Sequence, residues 1–211
     1  WIPVNNPDFN ALPNGVFDSE VFSMWSYVTH WGDWTAPLGR IPAAFLDIAH
    51  KNGVGVSGVA SIPNATLSGS WFECLKGIGS MDVDKASKFL QYYGIDGLGY
   101  NSEFYGGGAY VKGVRTFHAA LVKKMKPVNP VFENFWYDGT NDFGNVSFDQ
   151  GLGNHNKETF GDKDNVRTSL FFNYNWNGGQ LGPSVTFAEQ LGRDPLDLYA
   201  GVNMQGGEPG G

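Results

Sequence analysis

The protein has 211 residues, a formal net charge of −7, 15% aromatic residues and only 17% charged residues. This length can bury one sizeable hydrophobic core, and the composition is not that of a disordered or fibrous chain. The few cationic residues form no extended basic patch, which argues against nucleic-acid binding. No apolar run approaches the roughly 18 residues of a membrane span.

The cysteine content is minimal, with Cys74 alone. One cysteine forms neither an internal disulfide nor a cysteine-rich metal site, so it says little about the redox compartment. We expect no metal and no cofactor. Because the chain begins at Trp1 rather than Met, it gives no information on a targeting segment.

The first half of the chain alternates strand and helix signals. The aromatic and β-branched run at residues 21–31 predicts the first strand, and Gly-containing residues 32–39 predict a loop. Further along, the pattern predicts a helix at 42–52, a strand at 54–60 and an amphipathic helix at 82–93.

The alternation continues in the second half. The predicted elements are a buried strand from residue 95, a helix at 110–125, a strand at 131–137, a polar insert with a short helix at 138–165, a strand at 168–176, a short helix at 186–191 and a strand at 196–202. Alternating strands and helices predict a parallel sheet.

Six strand–helix steps are fewer than the eight of a (β/α)8 TIM barrel, which typically has about 250 residues. We therefore predict a single α/β barrel domain over residues 1–211 that is only partly covered, truncated at its C-terminal end and possibly at its N-terminal end. An open doubly wound sheet is the alternative, although no strand here precedes a phosphate-binding glycine turn.

The third predicted strand ends in two polar residues, Asn101 and Glu103. Side chains alternate along a strand, so these two are expected to point to the same side. A network that satisfies the strand end is the structural alternative. An amide beside a carboxylic acid can hold a polar group and deliver a proton to it, which indicates a catalytic site.

The motif around this pair resembles known glycosidases. Asp96-Gly97-x-Gly99-x-Asn101-x-Glu103 is similar to the D-G-x-D-x-D-x-E strand of family 18 chitinase-like enzymes, with Gly99 and Asn101 in place of two Asp residues. The Asn-x-Glu form resembles glycoside hydrolase family 85, the endo-β-N-acetylglucosaminidases that cut the chitobiose core of N-glycans.

Other stretches resemble family 85 in the same order along the chain. They are 49–54, the Trp-Tyr-Asp at 136–138, the aromatic strand at 170–176, and 199–203, where Asn203 replaces an Asp. The resemblance implies that Glu103 is the general acid and base, that Asn101 orients the substrate acetamide, and that Tyr137 completes its pocket. We also expect sugar contacts from a set of aromatic and amide residues: Trp25, Trp31, Trp71, Trp136, Trp176, Asn175 and Asn203.

Two further acids lie near Tyr137. Glu133 precedes it by four residues and is expected to face the same side but deeper, where it bridges buried groups or acts as a second acid; we favour the bridge. Asp138 is expected to cap the next turn.

The resemblance implies hydrolysis of the β-1,4 bond in the N-glycan core, with retention of configuration through an oxazoline intermediate. The expected partners are N-linked glycans of glycoproteins or glycopeptides, and the expected state is a monomer. A bacterial source implies secretion or the cell surface, and a eukaryotic source the cytoplasm. The alternatives are a chitinase-like N-acetylglucosamine-directed glycosidase and a non-catalytic carbohydrate-binding barrel.

Overall fold

The sheet forms half of a barrel. The computed structural model describes residues 24–37, 41–61, 76–103 and 105–202. Within these ranges six parallel strands follow one another in chain order, so that each strand pairs with the next. The predicted partial (β/α)8 barrel is thereby confirmed.

The principal elements alternate along the chain. They are β1 (His30–Pro37), α1 (Ala43–Lys51), β2 (Gly55–Ser61), α2 (Val83–Tyr93), β3 (Gly97–Tyr100), α3 (Gly108–Met125), β4 (Phe135–Tyr137), α4 (Lys157–Phe160), β5 (Ser169–Phe172), α5 (Gly178–Gln190) and β6 (Leu198–Ala200), with 3₁₀ turns at Trp25–Tyr27 and Pro195–Asp197. Within the described ranges, none of the helices combines the length and the hydrophobicity that a bilayer crossing requires.

Helix α2 shows how local signals fix the boundaries. The side chain of Asp82 accepts hydrogen bonds from the backbone N–H groups of Asp84 and Lys85, which satisfies two donors of the first turn. Gly94 ends the helix in the left-handed conformation with φ 69°, which glycine adopts without steric cost. The predicted bounds of this helix therefore match the structure.

The first strand lies further along the chain than its sequence pattern predicted. Trp25–Tyr27 form a 3₁₀ turn, and the strand runs from His30 to Pro37 through much of the predicted loop. Parallel pairing with β2, which places His30 opposite Gly55 and Trp31 opposite Val56, decides the position. Tertiary pairing here overrides the local propensity of the aromatic run.

Helix α5 is longer than predicted, because it begins at Gly178 rather than near Thr186. The Asn177 side chain accepts from Gly179 N at 2.8 Å, and Gln180 Oε1 accepts from Asn177 N at 2.8 Å. This reciprocal capping starts the helix despite the glycines and Pro183, which weaken the helical signal in the sequence. Strands β4, β5 and β6 are each shorter than the sequence pattern predicted.

The main core lies between the sheet and the helices. Leu98, Tyr100 and Trp136 are fully or almost fully buried there. The Tyr100 and Trp136 rings pack 5.0 Å and 5.9 Å from the ring of His118 on α3. Since neighbouring residues of a strand face opposite sides, the residues beside Trp136 face the inside of the half-barrel.

A buried carboxylate fixes the start of β3. Asp96 accepts hydrogen bonds from Val56 N at 2.7 Å, His50 Nε2 at 2.7 Å and Asn129 Nδ2 at 2.9 Å. These bonds join β2, the end of α1 and the loop before β4 to one side chain. The Asp of the family-like motif therefore has a structural role, which fixes where β3 and the residues after it lie.

Candidate active site

Asn101 and Glu103 are brought together just after β3. Asn101 Nδ2 donates a hydrogen bond to Glu103 Oε2 at 3.2 Å. Asn101 is 7% exposed, and its Oδ1 is buried without a hydrogen-bond partner among the described residues. A buried acceptor without a partner is unfavourable by about 1–3 kcal/mol, so this oxygen is a candidate for ligand binding.

Tyr137 lies at the neighbouring strand end, on β4. Its ring packs 5.7 Å from that of Phe171 and 5.8 Å from that of Phe148. Burial raises the pKa of the Tyr137 phenol, and the nearby Tyr174 and Glu103 raise it further. The charge of the Glu103 carboxylate therefore acts on the Tyr137 phenol, which keeps its proton at neutral pH.

Asp138 holds the loop that packs on Tyr137. Asn156 Nδ2 donates to Asp138 Oδ1 at 3.4 Å and to the carbonyl oxygen of Gly151 at 2.9 Å, which links the Asp138 carboxylate to this loop. Burial raises the pKa of Asp138 to about 7. Asp138 was expected to cap the next turn. In the structure it instead contacts a residue further along the chain, Asn156, which holds the loop carrying Phe148.

This loop contains a left-handed residue. Among the described residues, Gln150 is the one non-glycine with positive φ, at 59°. Its Oε1 accepts from Asn175 N at 3.3 Å, which links the loop to the end of β5. Side-chain and tertiary contacts keep a backbone conformation here that costs a non-glycine residue about 1 kcal/mol.

The residues after β5 include one that the sequence analysis did not select. Tyr174 stands beside Tyr137, with ring centroids 6.3 Å apart. Asn175 and Trp176 were selected; Asn175 is exposed and Trp176 is half-buried, and Trp176 Nε1 donates to Gly201 O at 2.6 Å. An aromatic residue just beyond a barrel strand, between two Asn residues, was the available signal for Tyr174.

Two of the expected sugar platforms are core residues in this structure. Trp31 is 4% exposed and Trp136 is fully buried, so neither presents a ring face to a sugar. Trp136 faces the helices because it alternates with Tyr137, and its Nε1 donates to Thr140 O at 2.9 Å. Trp25 packs on Phe45 of α1, whereas Trp71 and Asn203 lie outside the described residues.

Glu133 forms a bridge deeper inside the half-barrel, as favoured from its spacing. It accepts hydrogen bonds from the Ser169 hydroxyl and, at 3.2 Å, from the Tyr199 hydroxyl. Burial raises the pKa of Glu133. A small cavity of about 140 Å³ nearby is lined by His30, Gly32, Phe135, Phe171 and Tyr199; because neither Asn101 nor Glu103 lines it, we do not regard it as the catalytic site.

The strand ends thus gather an amide, a carboxylic acid and phenols beside apolar rings. This set can bind a polar group, protonate it and exclude water from part of its surface. Across the ranges that the structure describes, no three His, Cys, Asp or Glu side chains are grouped as a metal site would need.

Comparisons with known proteins found a matching family and similar structures. The family model for glycosyl hydrolase family 85 matches residues 5–211. The structure is similar to the glycoside hydrolase domain of Endo-D from Streptococcus pneumoniae, with a TM-score of 0.74 and 25% identity over 87% of this chain. The match spans 30% of that domain's chain.

A chitinase from Rhizomucor miehei shares the fold, with a TM-score of 0.53 and 12% identity over 86% of this chain and 64% of the chitinase. None of the curated proteins searched matches the chain.

Proposed function

Because the chain belongs to glycosyl hydrolase family 85, we propose that it is an endo-β-N-acetylglucosaminidase that hydrolyses the β-1,4 bond of the chitobiose core of N-glycans. The single observation that carries the site assignment is the hydrogen bond from Asn101 to Glu103, whose charge also raises the pKa of Tyr137 on the neighbouring strand. The proposal needs no second copy of the chain, since the three side chains come from the residues just after β3 and from the end of β4 of one molecule.

The reaction begins with attack by the substrate's own acetamide. The 2-acetamido oxygen bonds to the anomeric carbon while the bond to the leaving sugar breaks, which gives an oxazoline-type intermediate. Glu103, in its protonated form, donates its proton to the departing glycosidic oxygen. Water then attacks the anomeric carbon, the bond between this carbon and the acetamide oxygen breaks, and the water gives a proton to Glu103. The two successive inversions at the anomeric carbon retain the configuration.

Asn101 orients the acetamide in this scheme. With Nδ2 bonded to Glu103, the buried Oδ1 is available to accept the acetamide N–H. That hydrogen bond turns the acetamide oxygen toward the anomeric carbon and stabilises the charge that develops on nitrogen. Tyr137 completes the pocket beside the same group, and Trp176, Asn175 and Asn203 are proposed to contact the flanking sugars.

Substitution of the acid tests the assignment. Glu103→Gln keeps the shape of the side chain and its place beside Asn101 but removes the transferable proton. We expect hydrolysis of a high-mannose glycopeptide to fall by about 10³-fold, within the range for general acid catalysis, with an unchanged melting temperature. The exposed Glu158→Gln is the matched control. Normal turnover by Glu103→Gln would contradict the role of this residue.

Product analysis separates the two enzyme classes. An endo-β-N-acetylglucosaminidase leaves one N-acetylglucosamine on the peptide and releases the rest of the glycan. Cleavage of chitin oligomers with the glycopeptide left intact would instead support the chitinase-like alternative. Binding of both without cleavage would support a non-catalytic carbohydrate-binding barrel.

A further inference from the structure

Two loops that are far apart in sequence meet beside Tyr137. The insert loop, residues 147–152, follows β4 and carries Phe148, and the post-β5 segment, residues 173–177, carries Tyr174. The rings of these two residues lie 5.8 Å and 6.3 Å from the Tyr137 ring, measured between centroids. The spacing of the two loops therefore determines how closely aromatic rings approach Tyr137.

The side chain of Gln150 connects these two loops. Its Oε1 accepts a hydrogen bond from the backbone N–H of Asn175 at 3.3 Å. Its Nε2 donates to the carbonyl oxygen of Phe148 at 3.2 Å. Gln150 is 9% exposed, so these bonds lie in surroundings of low dielectric, where a hydrogen bond is stronger than in water. One buried amide thus bonds to both loops at once.

The insert loop is anchored at both of its ends. Ser147 N donates to Gly139 O at 2.7 Å. At the other end, Leu152 N donates to Ser184 Oγ of α5 at 2.9 Å. Gln150 lies between these anchors, and its bond to the post-β5 segment joins that segment to a loop whose ends are already fixed.

The backbone of Gln150 indicates that its side chain is needed at this position. Among the described residues it is the one non-glycine with positive φ, at 59°. Glycine adopts this conformation without steric cost, whereas a residue with a Cβ does not. A glutamine held there contributes something that glycine cannot supply, and an observed backbone outlier of this kind supports a hypothesis of function. The two hydrogen bonds of the amide are that contribution.

We propose that Gln150 is a positioning residue, whose amide holds the insert loop and the post-β5 segment together beside Tyr137. It touches no substrate in this scheme. It acts through the places of Phe148 and Tyr174 around the pocket that receives the acetamide. The role rests on the proposed function, because the pocket at Tyr137 serves the same reaction.

Removal of the amide tests the role in the reaction. Gln150→Met keeps the length of the side chain and removes both hydrogen-bonding groups. We expect kcat on a glycopeptide to fall about tenfold while KM changes less than about threefold, because displaced loops misalign the acetamide in the step that it attacks. The exposed Gln190→Met is the matched control. An unchanged kcat in Gln150→Met would overturn the proposal.

A second variant separates the amide from the backbone conformation. Gln150→Gly removes the same hydrogen bonds and also removes the steric cost of the positive φ. We expect kcat to fall as it does in Gln150→Met, with a melting temperature at least as high as that of Gln150→Met. Full activity in Gln150→Gly would show that the turn alone places the loops, and the proposal would fail.

A measurement without substrate separates this proposal from the proposed function. In ¹⁵N-labelled protein, we expect the Asn175 amide proton to exchange with solvent at least about tenfold faster in Gln150→Met than in the unaltered protein. The Leu152 amide should be unaffected, since its bond to Ser184 remains. Unchanged exchange at Asn175 would overturn the joint between the loops. If the unaltered protein cleaves no N-glycan, the proposed function fails, and the exchange rates still decide whether Gln150 joins the two loops.

Discussion

Asn101 donates to Glu103 through Nδ2 at 3.2 Å, while its Oδ1 is buried without a partner in the described part of the chain. The hydrogen bond fixes which end of the amide faces the acid and leaves an acceptor for an incoming N–H. A folded protein tolerates such an oxygen at a cost of about 1–3 kcal/mol. A substrate acetamide that pairs with the oxygen would recover this free energy on binding.

The role of Asn101 can be tested by comparing two glycosyl donors, a natural N-glycan and a preformed sugar oxazoline. We expect Asn101→Ala to slow cleavage of a natural N-glycan by at least about 100-fold, in the range for loss of one transition-state hydrogen bond. Reaction with a preformed sugar oxazoline should fall far less, because its acetamide has already reacted. Chromatography of the released products measures both reactions.

The control is a matched change at Asn129, whose partner Asp96 precedes the other end of β3. Asn129→Ala removes a hydrogen bond to Asp96 and should affect both donors alike, through stability. Equal losses on both donors in Asn101→Ala would contradict an orienting role for that amide.

Asp138 is expected to make stability depend on pH. Burial raises its pKa in the folded state to about 7 from the ordinary 3.8. The unfolded chain therefore loses this proton first as pH rises, and this residue's contribution to the free energy of unfolding falls between about pH 4 and pH 7.

Asp138→Asn keeps an uncharged side chain at every pH. Urea unfolding should give similar stability for the variant and the unaltered protein at pH 4, and a variant more stable by about 2 kcal/mol or more at pH 8. A difference between the two proteins that stays constant from pH 4 to pH 8 would contradict the raised pKa.

Arg193 is expected to be a major source of stability around the insert. Its buried guanidinium donates to the carbonyls of Phe160 and Thr168 and to Asp197, and it lies 4.0 Å from the ring centroid of Phe160. Lysine cannot reproduce this planar set of donors, so Arg193→Lys should lower the free energy of unfolding by about 3 kcal/mol.

Arg167→Lys is the comparison for Arg193→Lys, because Arg167 pairs with the exposed Glu158. It should cost under about 1 kcal/mol. Thermal unfolding of both variants decides the matter: similar losses would show that Arg193 does not join these segments as the contacts imply.

The Gly97→Ala substitution tests whether the glycine of the Asp96-Gly97 motif is required for close packing of the strands. A Cβ at this position would overlap the carbonyl oxygen of Glu133 and lie 2.8 Å from Ser57 Oγ. The obstructing carbonyl belongs to the backbone, so we expect Gly97→Ala to destabilise the fold by about 3 kcal/mol. Circular dichroism during heating would report the loss.

Gly178→Ala is the matched control, since a Cβ there meets nothing within 4 Å. It lies in the first turn of α5, where alanine should raise stability by up to about 1 kcal/mol. A Gly97→Ala variant that melts at the same temperature as the unaltered protein would show that the strands can separate to accept the methyl group.

The sequence alone determined the order of the strands and helices and singled out Asn101 and Glu103, whereas Tyr137 was selected through the resemblance to family 85. The order of the elements and the choice of the first two residues depend on local signals: the cap at Asp82, the turn at Gly94, and the apolar strand that ends in polar residues. Such signals act between residues a few positions apart, so they can be read without knowing the fold.

Only the tertiary structure decided which aromatic residues face the site. Trp136 and Tyr137 are adjacent in sequence and similar in hydrophobic character, yet one is enclosed by Tyr100 and His118 and the other lies beside Phe148 and Tyr174. The start of β1 and the pairing of Tyr174 with Tyr137 were settled in the same way. Burial and pairing depend on partners far away in sequence, whose positions local patterns do not contain.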